Sequence, residues 1–267
     1  MANSRFEYVR GFERHDALLP LCWIVVRVDG KGFHRFADAH AFEKPNDARA
    51  LRVMNDAALA VLEAFPDAVL GFGESDEYSF VLKKDTTLYG RREAKIVSVI
   101  TSLFTASYVM AWPRHFGDAP LLSAPVFDGR AVAYPSDAVL RDYLAWRQAD
   151  THINNQYNTV FWALVDKGGE TPAKAQAMIK GSDTAWKNET LFERFGINYA
   201  HLPAMYRKGS VVLRRTEEVV VKVDAATGQE VRRKRATPVV CHDDIIGDEF
   251  YRLHPELGIE ADGKRRR

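Results

Sequence analysis

Cys22-Trp23-Ile24-Val25-Val26-Arg27-Val28-Asp29-Gly30 is the stretch that decides the fold, and its counterpart is Gly73-Glu74-Ser75-Asp76-Glu77-Tyr78-Ser79-Phe80. The first stretch is a continuous apolar, β-branched run that ends at Asp-Gly, which predicts a buried central strand. The second predicts the loop and the outgoing strand of a hairpin. Each stretch therefore places an aspartate, Asp29 or Asp76, at the end of a strand.

The segments around these stretches alternate between helical and strand-like patterns. Residues 46–65 and 91–112 repeat apolar side chains at helical spacing, and each segment ends before a proline. Residues 68–72, 77–82 and 126–134 predict three further strands. The order strand, helix, strand, strand, helix, strand predicts a ferredoxin-like βαββαβ unit within an α+β fold.

This topology brings the two aspartates together. The first and third strands are antiparallel neighbours at the sheet centre, so Asp29 and Asp76 meet at one edge. Paired carboxylates can hold the two Mg²⁺ ions that catalyse phosphoryl or nucleotidyl transfer, and the glycines beside Asp29 let backbone N–H groups approach a triphosphate. Either motif alone is commonly an ordinary turn. Their conjunction indicates an enzyme that acts on nucleotides.

A third block, His152-Ile153-Asn154-Asn155-Gln156-Tyr157-Asn158-Thr159, completes a resemblance to a known family. Together the three blocks resemble, in order and spacing, the signature blocks of the tRNA-histidine guanylyltransferase family, in its eukaryotic-like, histidine-tRNA-specific branch. The likeness extends from Phe6 to Phe250. Gln156 departs from the family pattern, where an apolar residue is more usual, and this departure concerns local packing more than chemistry.

The resemblance implies an unusual reaction on a catalytic domain similar to a polymerase palm. ATP activates the 5′-monophosphate of histidine tRNA to an adenylylated end. The 3′-hydroxyl of GTP then attacks that end and releases AMP, so the RNA grows in the 3′-to-5′ direction, and pyrophosphate is finally removed. The implied cofactor is a pair of Mg²⁺ ions, with ATP and GTP as substrates.

The resemblance also implies roles for individual residues. Asp29 and Asp76 are the expected catalytic residues and would bind both metal ions, with the Gly30 carbonyl completing one coordination shell. Glu77 is a second carboxylate behind them or an occasional ligand. The expected nucleotide-binding residues are Asp29, Gly30, Lys31, Gly32, Phe33, His34, Ser75 and Asp76.

Four further residues are expected to serve activation and phosphate binding: Lys44, His152, Asn155 and Lys187. Each also has an ordinary structural interpretation. Residues 152–165 predict a helix, and a His-Asn-Asn run at a helix start commonly caps it. The two lysines, judged by sequence alone, are typical surface residues.

The second half of the chain predicts helices followed by a β-ribbon. Ser136 caps a helix that extends to about residue 148, Thr171-Pro172 starts another, and Ser182 begins a third that ends before Gly196. Residues 210–235 alternate as a ribbon that turns at 224–229. The chain thus divides into a palm-like catalytic domain, 1–135, and a helical and β-ribbon region, 136–267, integrated into one structural unit. The resemblance implies a homotetramer, a dimer of dimers.

Composition limits the other classes of function. Two cysteines are too few for a disulfide scaffold, and no Cys/His spacing is typical of zinc. With no secretory or transit signal and no clean membrane span, we expect an intracellular protein of the cytoplasm or nucleus. A net charge of +1 supports RNA binding weakly, although residues 207–235 hold nine Lys/Arg against four Asp/Glu. That segment and the basic tail 264–267 suit a tRNA backbone, and the tail is also similar to a nuclear import signal.

Three alternatives stay open at this point. A template-dependent 3′-to-5′ polymerase that repairs truncated tRNA 5′ ends would share the active site. A non-catalytic RNA-binding module would retain the basic ribbon, but clustered Asp29 and Asp76 without metal would repel each other. A nucleotide cyclase would share the palm and leave the block at residues 152–159 unexplained.

Overall fold

The computed structural model describes residues 4–223 and 230–261, which are organised around a six-stranded antiparallel sheet. The strands are β1 (Trp23–Gly30), β2 (Ala68–Glu74), β3 (Glu77–Leu82), β4 (Phe127–Tyr134), β5 (Ser210–Val223) and β6 (Glu230–Cys241). The α-helices are α1 (Phe33–Ala39), α2 (Ala48–Ala64), α3 (Glu93–Phe116), α4 (Asp137–Trp162), α5 (Pro172–Ile179), α6 (Thr184–Phe195), α7 (Ala204–Lys208) and α8 (Asp248–Leu253). A short π-helix, Ala163–Lys167, extends α4.

The order of the strands is β4-β1-β3-β2-β5-β6. β1 pairs antiparallel with β3, as predicted, and the register places Asp29 opposite Glu77. The hairpin of β2 and β3 closes at the pair Glu74 and Glu77, so its turn consists of Ser75 and Asp76. β5, from the second half of the chain, pairs with β2. Both halves of the chain therefore contribute to one sheet.

Alternate side chains of the sheet enter two hydrophobic cores. Ile24, Val26 and Val28 of β1 face α2 and α3, while Trp23 and Val25 face the side covered by α4 and the C-terminal segment. Burial on both faces explains why β1 is an unbroken apolar run. By the same alternation, Arg27 and Asp29 lie on the α4 side of the sheet. A smaller third core joins the end of α4 to α5 and α6.

Several helices differ from the prediction. α1 was not predicted, and it follows Gly32, whose φ of +71° favours glycine. α3 continues three residues past Pro113, where the stacked rings of Trp112 and Phe116 lie 3.9 Å apart. The two helices predicted at 136–148 and 152–165 are a single α4. The helix continues through residues 149–151, where prediction placed a gap, and the Thr151 hydroxyl donates to the Arg147 carbonyl at 2.9 Å.

The predicted helix starts are largely confirmed. Ser136 accepts a hydrogen bond from the Val139 amide, and Thr171 with Pro172 opens α5. α6 begins at Thr184, two residues after the predicted Ser182, with Asp183 as its cap. The ribbon is β5 with β6, and it extends beyond the predicted end at residue 235. The predicted turn at 224–229 and the basic tail at 264–267 lie outside the described residues.

α3 also meets the length and composition expected of a membrane-spanning helix, with a mean hydropathy of 1.5 over its most apolar window. In this fold one face of α3 packs into the core through Ile96, Ile100 and Phe104. Its apolar composition therefore has a structural explanation in the sheet that it covers.

Two arginines, the buried Arg91 and the half-buried Arg214, hold distant segments together by donating to backbone carbonyl groups. Arg91 donates to the carbonyl oxygens of Leu18, Leu19, Cys22, Lys84 and Thr86. Arg214 of β5 donates to the carbonyl oxygens of Phe65 and Ala68 at 2.9 and 2.7 Å, and also to that of Leu62. The last carbonyl groups of a helix have no intrahelical partner. Arg214 therefore caps the end of α2 from the other half of the chain.

We predict that Arg91→Lys lowers the free energy of unfolding by about 3 kcal/mol, because lysine retains the buried charge but cannot reach five carbonyl groups. Urea denaturation measures the loss. Arg92→Lys is the matched control, since Arg92 is half exposed and pairs with Asp16 at the surface, so we expect a change of under about 0.5 kcal/mol. Equal stability of the Arg91→Lys variant and the parent protein would contradict this account.

Candidate active site

The two predicted aspartates meet at the edge of the sheet where β1 ends and the β2–β3 hairpin turns. The Gly30 amide donates to the Asp76 carbonyl at 2.9 Å, which fixes the end of β1 to the turn. Ser75, the first residue of the turn, has a φ of +47°. This conformation is unusual for a residue with a side chain and is common at functional sites.

A cavity of about 520 Å³ opens beside these aspartates. The hairpin turn and the end of β1 form one wall, the segment before α2 forms another, and α4 with α7 forms a third. The residues that contribute polar groups to it include Asp29, His34, Lys44, Asn46, Asp47, Glu74, Ser75, Asp76, Glu77, Arg147, Asp150, Asn154, Asn155, Asn158 and Tyr206. The cavity is therefore polar near the sheet and has the size of a small-molecule site.

Negative charge accumulates around the turn. Burial raises the pKa of Asp76, and the charges of Asp29 and Glu77 raise it further. Burial is also the main reason that the pKa of Glu74 rises to about 7, with a further contribution from Glu77. A desolvated carboxylate beside like charges is stabilised when it binds a proton or a cation.

The donor groups at this edge fit divalent cations. Five carboxylates (Asp29, Glu74, Asp76, Glu77 and Asp150) surround two guanidinium groups, those of Arg27 and Arg147, a local formal charge of −3 when all are ionised. Within residues 4–223 and 230–261, no three His, Cys, Asp or Glu side chains converge as one preformed metal cage. Mg²⁺ is commonly held by one or two carboxylates together with substrate phosphates, so a pair of aspartates is a suitable protein contribution.

The segment from Gly30 to His34 differs in part from the prediction of a backbone cradle for phosphates. The amide of Gly30 donates to Asp76, and that of Lys31 donates to the Val126 carbonyl at 2.8 Å. The amides of Gly32, Phe33 and His34 begin α1, where backbone donors have no intrahelical partner and no side-chain cap is present. Fewer backbone amides than predicted could therefore contact phosphates: those of Gly32, Phe33 and His34, but not those of Gly30 and Lys31.

Side chains in this segment face different surroundings. The Phe33 ring is buried and packs against Phe36 and Phe127 at centroid distances of 4.8 and 4.9 Å. A Cβ on Gly30 would lie 2.4 Å from that ring, so glycine is required there for packing as well. Lys31 and His34 are exposed, and His34 lines the cavity.

Two of the four predicted activation residues line the cavity, and a third, His152, is joined to Asn155 through the Tyr199 hydroxyl. Lys44 lines the cavity, 3.1 Å from an Asp38 oxygen. Asn155 also lines it, but its amide group accepts from Asn46 at 2.8 Å and donates to the Tyr199 hydroxyl at 3.0 Å. His152 and Lys187 are not among its lining residues. Burial and the charge of Arg207 lower the pKa of His152.

The third block is in the middle of α4 and not at a helix start, so its polar residues do not cap a helix. Gln156, the departure from the family pattern, is 1% exposed and donates to the Asn188 side chain at 2.9 Å. Its packing is therefore resolved by a hydrogen bond between α4 and α6.

Sequence reasoning missed several residues of the site, above all Glu74 and Arg147. Glu74 carried a local signal, since Glu74 and Glu77 flank a two-residue turn and must lie opposite each other. Arg147 carried none, because it is 70 residues from Glu77 and reaches it only through the packing of α4.

Comparisons with known proteins cover most of the chain and indicate one family. A family model for tRNAHis guanylyltransferase matches residues 6–135, and one for the Thg1 C terminal domain matches residues 138–247. A probable tRNA(His) guanylyltransferase from Drosophila melanogaster is 51% identical over 257 residues, 96% of this chain and 86% of the relative. The tRNA(His) guanylyltransferase of Schizosaccharomyces pombe is 51% identical over 259 residues, 97% of this chain and 99% of the relative.

Solved structures give the same result. The crystal structure of the tRNA(His) guanylyltransferase from Saccharomyces cerevisiae superposes with a TM-score of 0.76 at 44% identity, covering 86% of this chain and 96% of that one. A bacterial Thg1-like protein in complex with ATP shares the fold, with a TM-score of 0.72 at 20% identity over 96% of this chain and 99% of that one. By its sequence and its fold, this chain belongs to the tRNA(His) guanylyltransferase family.

Proposed function

We propose that this protein is a tRNA(His) guanylyltransferase that activates the tRNA 5′-monophosphate with ATP and then adds GMP from GTP in the 3′-to-5′ direction. The observation that carries the proposal is the meeting of Asp29 and Asp76 at a polar cavity of about 520 Å³ in a chain of this family. Relatives named for this activity are about half identical to the chain over nearly its whole length.

The aspartates would hold two Mg²⁺ ions, with the Gly30 carbonyl as an additional ligand. Such a pair of ions activates an attacking hydroxyl and stabilises a leaving phosphate group. The excess of carboxylates over guanidinium groups at the turn supports this assignment. The protein itself would position nucleotide phosphates with the amides of Gly32, Phe33 and His34 and with the Ser75 hydroxyl.

Nucleotides are the substrates that the cavity fits. One solved relative, a bacterial Thg1-like protein, is in complex with ATP and another with GTP. Lys44 is placed to neutralise phosphate charge in the cavity, while Asn155 would act through the hydrogen bonds that shape the wall. His152 and Lys187 would meet the tRNA end outside the cavity.

Two further parts of this proposal concern the architecture and the assembly of the protein. The strand order β4-β1-β3-β2, with α2 and α3 on one face, supports a palm-like core within residues 1–135. Residues 136–267 would complete the site and bind tRNA, and the functional form would be a tetramer. A non-catalytic RNA-binding module is disfavoured, because the carboxylate cluster would then repel without any compensating use.

The first prediction concerns the reaction itself. With ATP and Mg²⁺, α-labelled GTP should label a histidine tRNA transcript that carries a 5′-monophosphate and should leave a non-histidine tRNA unlabelled. Label on both RNAs would favour the template-dependent repair polymerase. Binding of tRNA without label on either would favour the non-catalytic module.

The second prediction concerns the aspartates. Asp29→Asn or Asp76→Asn should lower the labelling rate about a thousandfold or more, because neutral amides cannot hold the metal ions. Each variant should unfold at a temperature equal to or above that of the parent, since a repulsive charge is removed. Asp128→Asn is the control: Asp128 lies directly opposite Asp29 on β4, pairs with Arg130 at 2.8 Å and should be dispensable. Retained activity of either test variant would disprove the assignment.

The third prediction separates activation from nucleotide transfer. His152→Ala, Asn155→Ala and Lys187→Ala should slow labelling of monophosphorylated tRNA about a hundredfold and recover on tRNA that already carries a 5′-triphosphate. Lys180→Ala, an exposed lysine after α5, should behave like the parent on both substrates. Equal losses on both substrates would assign these residues to general binding or to structure, for which the bridging amide of Asn155 is the first candidate.

A further inference from the structure

Arg147 is a buried cation of α4 whose contacts converge on the hairpin that carries Asp76. Its side chain is 6% exposed. Nη1 lies 3.0 Å from a Glu77 oxygen and 3.7 Å from a Glu74 oxygen, and Nη2 lies 3.3 Å from an Asp150 oxygen. The guanidinium also stacks on the Trp146 ring, 3.5 Å from its centroid. The orientation of this side chain is therefore fixed from several directions.

Glu74 and Glu77 are the closing pair of the turn. They lie directly opposite each other on β2 and β3, and their side chains are 8% and 14% exposed. Two carboxylates directly opposite in an antiparallel pair repel each other when both are ionised, and burial makes each of them costly without a cationic partner. Only the two residues Ser75 and Asp76 connect them, so any separation of the pair displaces Asp76.

A second arginine connects this pair to the other aspartate. Arg27 of β1 lies 3.9 Å from a Glu77 oxygen and 3.8 Å from an Asp29 oxygen. Glu77 thus lies between the two guanidinium groups. A continuous line of charges therefore extends from α4 to Asp29 through Arg147, Glu77 and Arg27, while Asp76 is the residue directly before Glu77 in the turn.

We propose that Arg147 is a positioning residue for the metal site: its guanidinium neutralises the closing pair Glu74 and Glu77 and so fixes Asp76 relative to Asp29. This deepens the proposed function and rests on it for the metal roles of the aspartates. In this role Arg147 acts through Glu74 and Glu77 and not by binding substrate or metal. It makes the second half of the chain a direct part of the site.

The test compares Arg147→Met and Arg147→Lys in the full-length protein. Mn²⁺ is titrated with GTP present, and free Mn²⁺ is measured by electron paramagnetic resonance, so binding is read without turnover. Loss of a residue that orients metal ligands typically weakens metal affinity tenfold or more. We expect about a tenfold loss for Arg147→Met and a smaller one for Arg147→Lys, whose single ammonium can hold one carboxylate. The half-saturating Mg²⁺ concentration for tRNA labelling should rise in parallel.

Arg141 provides a matched control on the same helix. Its side chain is 12% exposed, it stacks on Tyr251 at 4.4 Å, and it pairs with Asp248, remote from the turn. Arg141→Met therefore removes a guanidinium group from another part of α4 and should leave Mn²⁺ affinity unchanged. An equal loss in this variant would overturn the proposal, because the effect would then belong to α4 in general.

A second variant separates positioning from folding. Arg147→Met combined with Glu74→Gln removes one of the two repelling charges, so it should restore Mn²⁺ affinity to within about threefold of the parent. The proposal is overturned if this double variant binds as weakly as Arg147→Met or fails to fold, or if Arg147→Met binds like the parent. A parent protein that binds Mn²⁺ and GTP but labels no tRNA would instead contradict the proposed function and leave this test intact.

Discussion

The rest of this structure depends on holding two carboxylates side by side at the end of a sheet. Their repulsion opposes folding, and burial of Asp76 increases its cost. Backbone hydrogen bonds between β1 and β3, and the bond from Gly30 to Asp76, supply a rigid frame that side-chain repulsion cannot easily open. Arg27 and Arg147 offset part of the charge. The carboxylates that remain leave an excess of negative charge beside the cavity.

Much of this frame could be predicted from sequence because its determinants are local. An apolar run ended by Asp-Gly specifies β1, and an acidic loop between two apolar segments specifies the β2–β3 hairpin. Pairing of β1 with β3 then follows from the order of elements. The meeting of Asp29 and Asp76 was therefore predictable without a structure, whereas their metal-binding and catalytic roles stay a prediction.

What sequence reasoning missed depends on contacts between distant segments. α4 was divided in two because its inward face is polar in the middle, where Thr151, Asn155 and Gln156 are buried through hydrogen bonds and not through apolar packing. The spacing of apolar residues along the sequence gives no signal for such a buried polar face. Arg147 lies on the same face. The prediction of two helices in place of α4 and the absence of Arg147 from the predicted site therefore have one cause. The narrowed backbone cradle has a similar origin, since the partner of the Lys31 amide, Val126, is far along the chain.

The shared sheet has a consequence for how this protein can have changed over time. β2 lies between β3 of the first half and β5 of the second, and Arg214 of β5 caps α2. A chimaera joined near residue 135 from two relatives would have to match both the β2–β5 edge and the Arg214 contacts, besides the contacts of Arg147 with Glu74 and Glu77. Recombination near residue 135 should therefore lower stability, although it changes the chain at a single junction. A substitution at one of these positions in either half should therefore be tolerated only with a compatible residue in the other half.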